Sequence, residues 1–278
     1  MIPFLLLLAD LPKAGPAAPA TAGLSPDETR YDQCVRHIKD NPEKAAAEAD
    51  AWRIAGGGLH ARQCLGLAYV ALERWSAAVI AFEQAAREAQ SQRDGRAAML
   101  WAQAGNAALA GDNAAQARDD LSAAIALPSM SDPMRGEAYL DRARAWVALN
   151  DMNSARSDIN AALKLVPGDG LAWLLSATLA RRQNDAACAQ ADIEEAVRLA
   201  SDDAAVALEA GNIAAMQGID EGARIAWQHA ADADPKGPVG DSARAALAGL
   251  PPRASAPAAS AAVPPTPKLD HAPVETGR

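Results

Sequence analysis

Residues 59–85 read LHARQCLGLAYVALERWSAAVIAFEQA, and the spacing inside this stretch decides the fold. A small residue, Gly66, is followed three positions on by a large one, Tyr69; Ala78, Phe82 and Ala85 come next. Apolar residues recur at helical intervals on either side of Glu73-Arg74, so the stretch reads as two amphipathic helices joined by a tight turn. With Leu59 as position 1, the pattern returns from Ala98, Gly136, Gly170 and Ala204. The last three starts lie 34 residues apart, whereas the earlier steps of 39 and 38 call for short insertions between units.

The aligned columns carry the argument. Position 8 holds Gly66, Gly105, Ala143, Ala177 and Gly211, small in each unit. Position 20 holds Ala78, Ala117, Ala155, Ala189 and Ala223, and position 27 holds Ala85, Ala124, Ala162, Ala196 and Ala230. Position 24 is bulky throughout, with Phe82, Leu121, Ile159, Ile193 and Trp227. Small residues at 8 and 20 let the two helices of one unit approach, position 24 fills the space beside them, and the alanine at 27 admits the next unit. Trp101 and Trp173 stand at position 4, and Pro167 and Pro235 at position 32, where proline stops the second helix. Glu73-Arg74, Gly111-Asp112, Asn150-Asp151, Asn184-Asp185 and Gln217-Gly218 mark the turns within units.

This register resembles that of the tetratricopeptide repeat family over at least residues 59–237. The resemblance implies an all-α fold, a right-handed superhelical solenoid of antiparallel helix pairs. Residues 24–58 read as a divergent N-terminal pair, Asp27 to Ile38 and Pro42 to Ile54, with Asn41-Pro42 as cap and first turn. Gly56-Gly57-Gly58 then reads as a helix stop rather than a phosphate loop, since no strand precedes it and no Gly-Lys-Ser/Thr follows. Residues 238–250 read as a helix capping the last unit.

The ends differ from the middle. Residues 1–23 are signal-like: Ile2 to Leu8 is apolar, and Ala18-Pro19-Ala20 and Ala20-Thr21-Ala22 read as alternative small-residue cleavage sites, but no basic residue precedes the run. That run is far below the roughly 20 residues of a membrane span. Residues 251–278 are rich in Pro, Ala and Ser without apolar periodicity, which reads as a disordered tail.

Composition excludes several classes. Half the chain is hydrophobic but 4% is aromatic, which argues against a β-sandwich or barrel. The net charge of −9 argues against a nucleic-acid partner. Three cysteines and four histidines, without C-x-x-C or H-x-x-x-H spacing, argue against a metal centre. His37, His60, His229 and His271 fall in different units or the tail, and no nucleophile elbow, P-loop or dinucleotide fingerprint occurs. Neither an enzyme nor a cofactor is expected. Acidic pairs such as Asp119-Asp120 and Glu194-Glu195 read as solvated B-helix faces.

Stacked helix pairs create a concave groove lined by the first helix of each unit. In the family it is lined from positions 2, 5, 9, 12 and 13, which here supply Gln63, Asn106, Arg144, Thr178, Arg181, Arg182 and Asn212 as candidate peptide-binding residues. In the family, asparagine at position 9 bonds an extended peptide backbone. The three arginines would favour a partner bearing an acidic group. The chaperone-tail carboxylate clamp is not matched, because positions 5 and 2 hold Gln63, Ala102, Glu137 and Leu171 instead of lysine. Cys34 and Cys64, about one unit apart on successive first helices, are expected to form a disulfide if the chain is exported, with Cys188 left free. The expected function is a non-enzymatic, exported scaffold or tether of other cell-envelope proteins. The alternatives are a cytosolic adaptor using the same groove, and an enzyme or glycan-binding protein with an unrecognised site.

Overall fold

The computed structural model describes residues 25–251, which form 13 helices and no strand among the described residues. The signal-like segment and all of the tail beyond Pro251 lie outside the described residues. An N-terminal pair, α1 (Pro26–Asp40) and α2 (Pro42–Ile54), precedes five further pairs. Their first, or A, helices are α3 (Gly58–Ala71), α5 (Ala97–Ala110), α7 (Asp132–Ala148), α9 (Gly170–Arg182) and α11 (Ala204–Met216). The B helices are α4 (Trp75–Gln92), α6 (Ala114–Ile125), α8 (Met152–Leu165), α10 (Ala186–Leu199) and α12 (Asp220–Ala233), with α13 (Pro238–Gly249) behind them.

The same turn joins A to B in each unit. Its fifteenth residue is left-handed: Glu73, Asp112, Asn150, Asn184 and Gly218, with φ between 55° and 74°. Asn113, Asp151 and Asp185 then accept from backbone amides at the start of α6, α8 and α10, which satisfies orphan donors of those helices. The two long steps in the sequence have separate causes. α4 runs for 18 residues before a left-handed Arg93, and residues 126–131 form an added loop. Arg135 pins that loop by donating to the carbonyls of Ile125, Leu127 and Met130.

All ten alanines at positions 20 and 27 have no exposed surface. They sit where one helix crosses another, and with the bulky position-24 side chains they make a string of small cores along the array. α13 closes the far end by laying Ala243, Leu247 and Leu250 near Trp227 and Ala231.

The near end is built differently. α1 is polar and buries one residue, Cys34, which is disulfide-bonded to Cys64 of α3 with a Cα–Cα distance of 6.3 Å. Trp52 explains the glycine run: a Cβ at Gly57 would lie 2.3 Å from its indole, and Gly56 adopts φ +92°. Arg30 stacks over the Trp52 ring, 4.8 Å from its centre.

Candidate functional site

Side-chain bonds lace successive A helices together along one face. Gln63 Nε2 donates to Gln103 Oε1 (3.4 Å), joining α3 to α5, and Asn106 bonds Asp141, joining α5 to α7. Further along, Arg181 Nε and Nη2 donate to the two carboxylate oxygens of Glu209 (2.6 and 3.1 Å), joining α9 to α11. Together with the bonds of Arg144 to Asp141 and of Asn212 to Glu209, these contacts engage five of the seven candidate groove residues, while Thr178 is half-buried and Arg182 exposed on α9.

The chemistry of the clusters differs from the sequence expectation. Arg144 donates to Asp141 at 2.5 Å, so its charge is answered within its own helix. Asp141 is held above the usual carboxylate range by burial, although Arg144 and Asn106 work against that. Glu137, one turn earlier, is also raised, first by burial and then by the charges of Asp141 and Asp169. Glu209 is buried, and Asn212 Nδ2 donates to it while Asn212 Oδ1 accepts from Trp227 Nε1 (3.0 Å). Asn212 is therefore engaged on both sides of its amide, and Gln63 is 4% exposed. Of the three arginines, Arg182 is the exposed one.

The residues not singled out from the sequence are Gln103, Asp141 and Glu209, all at position 6. Each lies three residues before a position-9 side chain, on the same face of its helix, and that i, i+3 spacing was the available signal. A second correction concerns the acidic B-helix faces: Asp120 is 2% exposed rather than solvated. His60 contacts Arg96 Nη1 through Nε2 at 2.6 Å and meets Tyr31 edge-on, and burial followed by the Arg96 charge lowers its pKa. Trp101 is buried with its indole N–H on Gln90, and Trp173 donates to the carbonyl of Pro167.

No family model matches the chain, and no curated protein matches it. Solved structures do. PilW, a widely conserved type IV pilus biogenesis factor, superposes with a TM-score of 0.64 at 15% identity, over 79% of this chain and 99% of that one. Pseudomonas aeruginosa pilF gives 0.61 at 14%, over 80% and 100%. TTC0263, a thermophilic TPR protein of Thermus thermophilus, gives 0.54 at 18%, over 69% and 97%. The fold is the tetratricopeptide-repeat solenoid. In the tetratricopeptide family the A helices make the concave face, and the laced contacts here run between A helices. What remains open on it is Asn106, Thr178 and Arg182, flanked by half-buried Leu109, Val147 and Leu175.

Proposed function

We propose that this chain is a non-enzymatic scaffold or tether of the bacterial cell envelope that holds a peptide segment of a partner protein on its A-helix face. The observation that carries the reading is the division of labour on that face. Arg144, Arg181 and Asn212 are consumed by internal carboxylates and the Trp227 indole, which rigidifies the wall, while Arg182 and Asn106, the latter on Asp141, stay exposed and Thr178 is half-buried. A rigid wall with a few exposed polar groups and apolar flanks suits an extended segment, because little ordering is needed on the protein's side. An acidic group on that segment is read by Arg182. The envelope location is supported by the apolar leading run with its small-residue site, and by the Cys34–Cys64 bond, which persists in oxidising compartments. PilW, which shares the fold, is described as a pilus biogenesis factor, in keeping with such a setting.

The test is a pair of measurements on native protein. N-terminal mass analysis should find the chain cleaved near residue 20, and capture from envelope extract should recover a partner that Asn106→Ala with Arg182→Glu no longer holds, at unchanged circular dichroism. An uncleaved chain with three free thiols, or capture indifferent to both substitutions, overturns the reading.

A further inference from the structure

Three B helices carry an aspartate at position 23, facing the A helix of the same unit: Asp120 on α6, Asp158 on α8 and Asp192 on α10. Two of these meet a guanidinium. Asp158 takes two bonds from Arg142 (2.8 and 2.7 Å), whose remaining nitrogen reaches Ser122 of the preceding unit. Asp192 accepts from Ser176 (2.6 Å), and Arg156 of the preceding unit bonds that serine and lies 3.9 Å from the carboxylate.

Asp120 has no such partner. The position that holds Arg142 or Ser176 in the neighbouring units is Ala104 here, and the position of Arg156 in the preceding unit is Val79. Gln116 Nε2 bridges Asp120 Oδ1 (3.1 Å) to Glu83 Oε1 (2.6 Å), and the buried Asp120 Oδ2 has no hydrogen-bond partner. Arg87 pairs with the far oxygen of Glu83 and lies over Trp101, so one guanidinium stands beside two carboxylates. Burial, followed by the Glu83 charge, pushes the Asp120 carboxyl up to about 7, the mark of a carboxylate lacking its cation.

Space is left where the missing arginine would lie. A cavity of about 310 Å³ opens between α4, the end of α5 and the start of α6, with Trp75, Val79, Ile80 and Ala108 as walls and Glu83 and Gln116 at its polar end. Asp120 stands one hydrogen bond behind that end. We propose that this cavity seats one arginine side chain of a partner protein, its guanidinium against Glu83 and drawn by Asp120, its methylenes along Val79 and Ile80. The occupant is an arginine because the neighbouring units place guanidinium groups at the corresponding aspartates, and because apolar walls suit a long aliphatic stem. This surface lies between two B helices and the C-terminal end of α5, and none of its lining residues is among the candidate groove residues, so its partner contact is separate from theirs.

The experiment is a titration of the full chain at pH 8 with N-acetyl-argininamide, read from the methyl resonances of Ile80 and Ala108. Saturable shifts are expected in the wild type, with N-acetyl-norleucinamide giving none. Asp120→Asn, which keeps an oxygen for Gln116, should weaken binding about tenfold. Val79→Arg, which copies the Arg156 arrangement, should abolish the shifts and raise the melting temperature. Absence of saturable shifts, equal affinity in Asp120→Asn, or saturation of the same residues by sodium or calcium alone would each overturn the proposal.

Discussion

Gly66 lies under the Phe82 ring: a Cβ added to Gly66 would fall 2.6 Å from Phe82 Cε1. The relationship recurs between Gly105 and Leu121 (2.6 Å) and between Gly211 and Trp227 (2.3 Å). Positions 8 and 24 therefore form one packing unit, in which phenylalanine, leucine or tryptophan at 24 is met by a bare glycine at 8. Where position 24 holds isoleucine, as at Ile159 and Ile193, position 8 accommodates alanine.

A glycine inside an exposed helix normally costs about 1 kcal/mol relative to alanine, so Gly→Ala stabilises. Here the sign should reverse. Gly66→Ala and Gly211→Ala should each cost about 1–3 kcal/mol through overpacking, measured by urea denaturation. Gly249, with nothing within 4 Å of its missing Cβ, should tolerate alanine without loss. Equal effects at the three sites would sink the packing rule.

The alanine columns make a related prediction. Ala155→Leu or Ala189→Leu forces a fully buried crossing apart and should lose about 1–3 kcal/mol, while Glu194→Leu on the outer face should change stability far less. Thermal melts of the three variants check the register directly.

Arg142 and Asp158 are 18% and 7% exposed at their side chains, and they bond in two places. Removing one partner leaves an uncompensated buried charge. Arg142→Met alone should cost about 3–5 kcal/mol, and adding Asp158→Leu should restore much of it. A double-mutant cycle read from denaturant midpoints decides this.

The Asp120 carboxyl makes stability fall as pH rises. Its folded pKa, about 7, lies above the ordinary 3.8, so the favourable contribution is complete below pH 4 and is lost by pH 7. Burial raises it most, Glu83 from α4 and Asp119 from its own helix add to that, and Gln116 and Arg87 work against it. Asp120→Asn should therefore be nearly neutral at pH 4 and stabilising by about 2–4 kcal/mol at pH 8. Parallel stability curves for wild type and variant would reject the assignment.

Reducing the disulfide should separate the N-terminal helix from the rest. The bond closes a loop with a sequence separation of 30, worth roughly 3–4 kcal/mol on the chain-entropy model. Since Cys34 is the one residue that α1 buries, hydrogen exchange after reduction should accelerate first in α1, ahead of α3. Protein made in an oxidising compartment and denatured without reductant should titrate a single thiol, Cys188.

The helix pairing was legible because it is written in short-range steric terms. A small residue at 8 or 20 has one physical use, and it recurs at fixed spacing. The candidate site was less legible for a physical reason: a charged residue's availability depends on what faces it from another helix. Arg181 looked free beside Arg182, yet Glu209, 28 residues on, claims it. Asp120 looked solvated beside Asp119, but one helical step turned it inward. Residue type and position predicted where side chains stand, and their partners decided what they can do.

The two ends of the array are held by unlike means, and this sets the direction in which it comes apart. The near end is fastened covalently, whereas the last helix, α13, is kept by a few apolar contacts and by Asp234 accepting from the amides of Val239 and Gly240. Each pair touches chiefly its neighbours, so unfolding travels along the stack rather than striking everywhere at once. Under mechanical load or rising denaturant the oxidised chain should peel from the α13 side like a zipper with one sewn end, and cutting the stitch should give it a second loose end.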